Sequence, residues 1–200
     1  MPLLSVFYQF CPSTAADYCY QLWLSHGFQL RITRARSSKL GDYRFSSAAA
    51  VKHQISVNEN LNPYSFLVTY IHEVAHLLTF QQYKRKVNPH GKEWKRNFQQ
   101  LMHPILNETV FPASILLPLQ AYMANPKASS CSDAVLLKAL QSADLTGSQT
   151  FLTELAVGEN FTLQGRVFTK GALKRTRILC LEKKSGKQYL IPGQAVVEKL

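Results

Sequence analysis

The motif H-E-x-x-H constrains this chain of 200 residues most, because it requires a helix that carries two histidines on one face. His72 and His76 are four residues apart, so on an α-helix their Cβ atoms lie about 5–6 Å from each other. Two imidazoles at this separation can bind a single Zn²⁺ ion through ring nitrogens. Glu73 lies between them in the sequence, and the pattern predicts that it is the general base of a metal-assisted hydrolysis.

The alternative is a helix with two surface histidines and no metal. The flanks argue against it, since Val68, Val74 and Leu77 make this run too apolar for a solvated face. Buried imidazoles without a partner lose hydrogen bonds. We therefore expect one Zn²⁺ ion at His72 and His76.

A catalytic zinc site needs a third protein ligand as well as an open position. His90 is the preferred candidate, because Asn88-Pro89 before it and Gly91 after it predict a turn that leads into the next helix. Glu93 is the rival, since a downstream carboxylate is the third ligand in some zinc hydrolases. Imidazole suits zinc, which favours His90.

The segment IHEVAHLL, followed by NPHGKEW, resembles the SprT-like metalloproteases, a family that includes bacterial SprT and eukaryotic Spartan proteins. In that family the third zinc ligand is the histidine of an H-G-x-x-[FW] element, which His90 to Trp94 match. Residues 39–44 and 55–58 are similar to the strands that precede the metal helix. The resemblance implies a zincin-like fold and the hydrolysis of peptide bonds.

The resemblance further implies that the substrates are DNA-bound proteins, as in the repair of DNA–protein crosslinks, with DNA as activator. A formal net charge of +11 agrees with an anionic partner. One alternative is a nucleic-acid-binding module with a structural or vestigial zinc site. Glu73 argues against it, since a structural site closes with four protein ligands and needs no base. The other alternative is a general zinc peptidase that does not depend on DNA.

The pattern of elements predicts an α+β protein in three parts. Residues 1–125 form the zincin-like protease domain, in which a small antiparallel sheet supports the metal-bearing helix. Residues 126–148 form a helical and polar connector, and residues 149–200 form a small basic β domain. The metal-bearing helix begins at Asn62-Pro63, with proline in its first position, and runs to about Lys86.

The remaining elements follow from periodicity and from turn residues. A helix with a Ser or Thr cap begins near residues 12–14 and closes at Gly27, and Gly41-Asp42 form a turn. The predicted strands are 28–34, 43–45, 53–57, 161–168, 175–182, 187–191 and 195–197; the further helices are 92–102, 112–123 and 133–141.

The C-terminal part is rich in basic residues interleaved with Phe168 and Tyr189, which is typical of a surface that binds single-stranded nucleic acid. The candidate contacts are Arg166, Lys170, Lys174, Arg175, Arg177, Lys183, Lys184 and Lys187. This part departs from the family, because many relatives carry a four-cysteine zinc ribbon there and this chain offers only Cys180.

Other features bear on the compartment and on the site. The four cysteines lack C-x-x-C spacing and favour a reducing compartment, where they act as small buried hydrophobes. The chain shows neither a targeting signal nor a window of eighteen apolar residues, so we expect a cytoplasmic protein without membrane contact, nucleoid-associated if it acts on DNA. Tyr70 and Tyr83 are candidates for the oxyanion stabiliser, and His53 is either a strand-surface residue or a partner of a metal ligand.

Overall fold

The computed structural model describes residues 3–36, 38–48, 53–128, 133–144 and 149–200. Contacts divide the chain into two units, residues 1–143 and 144–200. The helices are α1 (Leu3–Phe10), α2 (Ser13–His26), α3 (Pro63–Tyr83), α4 (Lys92–Met102), α5 (Ala113–Met123) and α6 (Ala134–Gln141). The strands are β1 (Gln29–Thr33), β2 (Gly41–Phe45), β3 (His53–Asn58), β4 (Gln149–Phe151), β5 (Asn160–Leu163), β6 (Arg166–Lys174), β7 (Arg177–Glu182), β8 (Gln188–Pro192) and β9 (Val196–Lys199).

The first unit contains a three-stranded sheet in the order β1-β3-β2. β2 pairs with β3 in antiparallel fashion, but β1 pairs with β3 in parallel, so the predicted antiparallel sheet is wrong. The most buried strand, β3, takes the centre, and the two half-exposed strands form the edges. β1 and β2 are therefore consecutive in the chain but are not neighbours in the sheet, because β3 lies between them.

Helix α3 is the central helix of the first unit, and it begins as predicted. The side chain of Asn62 accepts a hydrogen bond from the backbone N–H of Ser65, and Pro63 occupies the first helical position. Its end differs from the prediction, because the helix stops at Tyr83 rather than near Lys86. Lys84 has φ 57°, a left-handed value that an α-helix cannot continue.

The core of the first unit surrounds α3, which is apolar over most of its circumference. The predicted stripe on α4 is confirmed, since Trp94, Phe98 and Leu101 are all buried. The apolar N-terminal run packs on the fold through Phe7 of α1, whose ring lies 5.2 Å from that of Tyr70. α6 also belongs to this unit, through two buried leucines.

Several predicted boundaries can be compared with the structure. α2 ends at Gly27 in the left-handed conformation, as predicted, but it has Pro12 rather than a serine or threonine at its N-cap. Gly41 and Asp42 are the first residues of β2 and not a turn, because they pair with Val57 and Ser56. Asp133 caps α6 by accepting a hydrogen bond from the N–H of Leu136.

The second unit is a six-stranded sheet in the order β4-β9-β5-β6-β7-β8, in which neighbouring strands run antiparallel. The predicted hairpin between β7 and β8 is confirmed. The predicted strand over residues 161–168 is two strands, β5 and β6, because Gln164 and Gly165 form a two-residue turn with φ 52° and 74°. The second unit has a small apolar core of its own, which includes Phe161, Phe168 and Cys180.

The structure is thus of the α+β class. Cys11, Cys19 and Cys180 are buried free thiols, as predicted, and Cys131 lies outside the described residues. Among the described helices, none combines the length and the hydropathy needed to cross a membrane.

Candidate metal centre

Three histidines from two elements converge in the first unit. His72 and His76 lie one turn apart on α3, and their Nε2 atoms are 3.2 Å apart. His90 comes from the loop between α3 and α4, and its ring centroid lies 4.6 Å from that of His76. One ligand atom from each of the three lies within 4.8 Å of the other two. The loop that begins at Lys84 brings His90 to the face of α3 that carries His72 and His76.

This group fits a zinc ion. Two nitrogens bound to one tetrahedral zinc at about 2.0–2.1 Å lie roughly 3.3 Å apart, which matches the His72–His76 spacing. Nε2 of His90 is buried and has no hydrogen-bond partner among the described residues, and a buried polar atom of this kind needs an explanation. A bound cation supplies one, and the three imidazoles are a donor set that suits zinc.

The alternative ligand, Glu93, is not part of the group. Among the described residues, the group able to hold a metal consists of the three histidines. Glu93 lies in the first turn of α4, where its Oε1 is 4.0 Å from Nζ of Lys92. The prediction of His90 as the third ligand therefore agrees with the arrangement of the side chains.

Trp94 packs against all three histidines. Its ring centroid lies 4.7 Å from that of His72, 5.4 Å from His76 and 4.8 Å from His90, and the indole is fully buried. The sequence placed Trp94 on the buried stripe of α4 but did not indicate this role. Because His90 and Trp94 are four residues apart, this contact links the ligand loop to the helix that follows it.

Burial makes the histidines neutral. It lowers the pKa of His72 to about 3, with smaller contributions from His76 and His90, and it lowers the pKa of His76 to about 3 as well. The pKa of His90 is also lowered by burial. Neutral imidazoles are the form that binds a metal, so the site does not need to lose protons near pH 7.

Glu73 lies on the same helix and is buried, with 7% of its surface exposed. Burial raises the pKa of its carboxyl group to about 8, and the nearby charge of Asp42 adds to this rise. A hydrogen bond from the backbone N–H of Tyr43 and the charges of Arg36 and Lys39 act in the opposite direction. Without a bound cation, the group is therefore largely protonated at pH 7.

The open edge of β2 lies beside Glu73. Leu40 accepts a backbone hydrogen bond from Asn58, and bonded and non-bonded pairs alternate along an antiparallel ladder. The backbone groups of Gly41, Tyr43 and Phe45 therefore point away from β3. The hydrogen bond from Tyr43 to Glu73 agrees with this direction.

These groups line a cavity of about 690 Å³, a size typical of ligand-binding pockets. The wall includes His72, Glu73, His76 and His90 together with β2 residues 41–43. The histidines, Glu73 and the β2 edge thus line the same cavity.

Comparison with known proteins agrees with this site. The sequence profile of the SprT-like family matches residues 15–115, which include the metal-binding group and the β2 edge. The chain belongs to the SprT-like family. A relative, protein SprT of Vibrio parahaemolyticus serotype O3:K6 (strain RIMD 2210633), is 55% identical over 47 residues, which are 22% of this chain and 28% of the relative. No solved structure matches the chain significantly.

The structure places the other candidate residues of this SprT-like chain away from the histidines. Tyr70 is fully buried and donates a hydrogen bond to the carbonyl of Cys19, so its hydroxyl group points into the core. Tyr83 is not among the residues that line the cavity. His53 bonds the hydroxyl of Tyr43 through Nδ1 at 2.9 Å.

Two of the eight candidate nucleic-acid contacts have structural roles in the second unit. Arg166 donates from Nε to Glu182 at 2.6 Å, and its guanidinium group stacks on the rings of Phe168 and Tyr189. Lys170 is 8% exposed, and its ammonium group donates to the carbonyls of Thr153 and Leu155.

The other six basic residues are exposed and fall into two groups at opposite ends of β7. Lys174, Arg175 and Arg177 surround the turn between β6 and β7. Lys183, Lys184 and Lys187 surround the turn between β7 and β8. The eight residues thus do not form one continuous surface.

Proposed function

We propose that this protein is a zinc-dependent peptidase of the SprT type. The observation that carries the proposal is the convergence of three neutral histidines next to a buried glutamate at the wall of an open cavity. Three protein ligands with room for a fourth are typical of catalytic zinc sites, whereas structural sites close with four. Membership of the SprT-like family supports the same conclusion.

Each residue has a distinct role in this mechanism. His72, His76 and His90 hold the ion, and Trp94 keeps their rings in place. Zn²⁺, when bound, polarises a peptide carbonyl and lowers the pKa of a water molecule towards about 7. Glu73 accepts the proton of the attacking water and delivers it to the leaving amine.

The substrate is proposed to bind as an additional strand along β2, as in a zincin-like fold. β2 is an edge strand that lines the cavity, and an extended peptide can add to such an edge through the backbone groups other than the N–H of Tyr43, which bonds Glu73. Main-chain pairing of this kind does not depend on side chains, so it suits an enzyme that accepts many sequences. The same geometry brings the peptide next to Glu73.

The substrates are proposed to be DNA-associated proteins, with DNA as activator and with the cytoplasm as the site of action. The support comes from the family and from the net charge of +11, to which both units contribute. Positive charge favours nucleic acid as a partner through phosphate contacts. Such contacts are offered by six exposed candidates of the second unit: Lys174, Arg175, Arg177, Lys183, Lys184 and Lys187.

The test is cleavage of a basic DNA-binding protein, with and without single-stranded DNA, before and after removal of metal by a chelator. We expect cleavage that DNA stimulates, that the chelator abolishes and that added Zn²⁺ restores. If cleavage is the same with and without DNA, the protein is a general zinc peptidase and the proposed activation by DNA is wrong. DNA binding without any cleavage by the zinc-loaded protein would favour a binding module.

A further inference from the structure

Gly41, the first residue of β2, faces the turn of α3 that carries Glu73. A Cβ atom at this position would lie 2.7 Å from Oε1 of Glu73, 2.7 Å from Cγ2 of Thr69 and 2.9 Å from Cγ of Glu73. Real Cβ atoms essentially never come within 3.0 Å of such neighbours. The φ of Gly41 is not in the left-handed region, so the backbone conformation would allow a side chain here. The lack of space is what excludes one.

The neighbours of Gly41 have little freedom to move. Thr69 is 6% exposed, and a β-branched side chain in a helix has few rotamers available. Glu73 is the more flexible of the two, because its carboxyl group is at the end of an unbranched chain. A side chain at position 41 would therefore displace Glu73 first.

Strand β2 also holds the carboxyl group of Glu73. The backbone N–H of Tyr43, two residues after Gly41, donates a hydrogen bond to it. One strand thus provides both the space for the glutamate and a donor that fixes its direction.

The strand itself is fixed by Asn58, which is 1% exposed. Its backbone N–H donates to the carbonyl of Leu40 at 2.9 Å, and its Nδ2 donates to the carbonyls of Arg36 and Lys39 at 3.2 and 2.9 Å. Arg36 in turn donates from Nε to Oδ1 of Asn58 at 2.8 Å. Because these bonds hold the loop just before Gly41, β2 cannot easily retreat from α3.

We propose that Gly41 is a positioning residue for Glu73: its missing side chain lets β2 approach α3 closely enough for the Tyr43 N–H to orient the carboxyl group. The kinetic part of this inference rests on the peptidase function proposed above, whereas the structural part does not. Any residue larger than glycine at this position turns Glu73 away from the Tyr43 amide.

The test is Gly41→Ala, compared with Arg31→Ala as a control at an exposed position of β1, the opposite edge strand of the same sheet. Misplacement of a reacting group by about 1 Å costs roughly 100-fold in rate, so we expect kcat to fall by about 10–100-fold in Gly41→Ala. KM and zinc content should stay near those of the wild type. Arg31→Ala should keep the kcat of the wild type.

A cycle with Glu73→Asp distinguishes positioning from a general loss of packing. Aspartate withdraws the carboxyl group by one methylene, so Gly41→Ala should cost less in that background than in the wild type. A crystal structure of Gly41→Ala provides a readout that does not need activity. We expect the Glu73 carboxyl group to have left the Tyr43 N–H.

Two results would overturn the proposal: wild-type kcat in Gly41→Ala, or a Glu73 carboxyl group that stays on the Tyr43 amide. If Gly41→Ala does not fold, the double variant Gly41→Ala/Thr69→Ser replaces it, because serine lacks the threonine methyl group that the new Cβ atom would meet. A crystal structure of the double variant then shows whether the Cβ atom displaces Glu73. Failure of both variants to fold would assign Gly41 to folding and also overturn the proposal. If the wild type cleaves nothing, the peptidase function fails, while the position of Glu73 in the variant still decides the role of Gly41.

Discussion

The Nε2 atoms of His72 and His76 lie 3.2 Å apart, and burial, together with the neighbouring imidazoles, lowers the pKa of both rings and keeps them neutral. A pair of buried imidazoles so close together is a poor proton site and a good cation site. With His90 and its unpartnered Nε2, three imidazoles converge on one position.

The first prediction concerns the third ligand. Loss of a residue that only hydrogen-bonds a metal ligand weakens metal binding by roughly 10–100-fold. Because His90 is itself a ligand in this account, His90→Ala should weaken zinc binding by more than that. Glu93→Gln should leave the affinity unchanged, because Glu93 is not part of the histidine group. Competition with a chromogenic chelator measures both, and His103→Ala is the control for loss of an exposed histidine. The reverse ranking of His90 and Glu93 would make Glu93 the ligand.

Zinc should stabilise the first unit, since binding to the folded state alone shifts the folding equilibrium. Free zinc at 100 times the dissociation constant adds about 2.7 kcal/mol to the free energy of unfolding. Tryptophan fluorescence can follow this unfolding, because Trp23 and Trp94 both belong to the first unit. A midpoint that does not change with zinc, in a protein that retains all three histidines, would contradict the site.

The metal-binding part of the site could be predicted from the sequence because its spacing is local. His72, Glu73 and His76 are separated by helix periodicity, and His90 lies between Asn88-Pro89 and Gly91, residues that predict a turn. The role of Gly41 was missed, since the atoms that need its space belong to Thr69 and Glu73, far along the chain. A glycine in a strand does indicate close approach of another group, and that signal was present in the sequence.

The pairing of the strands in the first unit also could not be predicted from the sequence. The alternation in β1 and β3 predicted both strands, but alternation does not show which strands become neighbours or in which direction they run. Likewise, the periodicity of α3 gave no sign that Lys84 adopts φ 57°. The loop that begins at this residue leads to His90.

The backbone of Lys84 provides a second prediction. A non-glycine residue at φ 57°, ψ −131° carries strain of about 1–3 kcal/mol, and glycine at that position is not strained. Lys84→Gly should therefore raise the free energy of unfolding by about 1 kcal/mol, after the greater chain entropy of glycine is taken into account. Lys86→Gly, two residues later at an ordinary φ, should be neutral or destabilising. Chemical denaturation measures both, and equal effects would remove the strain argument.

A third prediction concerns pH and the second unit. The hydrogen bonds from Arg166 and then Ser185 lower the pKa of Glu182 to about 2, against about 4.3 in an unfolded chain. A lowered carboxyl pKa stabilises the fold fully above the unfolded value and loses this effect as pH falls through the folded value. Wild type should therefore be more stable than Glu182→Gln at pH 7 and pH 5, and the difference should vanish between about pH 4.3 and pH 2.

Amide hydrogen exchange in β7 measures that difference, because neither tryptophan belongs to the second unit. Thr153→Val, which keeps both partners of the ion pair, is the control. A difference between wild type and Glu182→Gln that persists at pH 2 would show that the Arg166–Glu182 pair is not its cause.

A fourth prediction separates binding residues from structural ones among the basic side chains. If the exposed basic residues bind the phosphates of single-stranded DNA, replacing Lys174, Arg175 and Arg177 by alanine should lower the slope of log K against log salt by about 0.7 for each phosphate that is no longer neutralised. Lys170→Met should leave the slope unchanged and lower stability instead, because its ammonium group is bound to two carbonyls. An unchanged slope in the triple variant would exclude this turn from the interface.

The measurement that tests the central claim most directly is cleavage of a DNA-binding protein by wild type and Glu73→Gln, each with its zinc content determined. Glutamine keeps the shape of the side chain but cannot accept a proton as a carboxylate does. We predict equal zinc content in the two proteins and cleavage by the wild type alone. Cleavage by zinc-loaded Glu73→Gln at the rate of the wild type would contradict the proposed role of Glu73 and, with it, this mechanism.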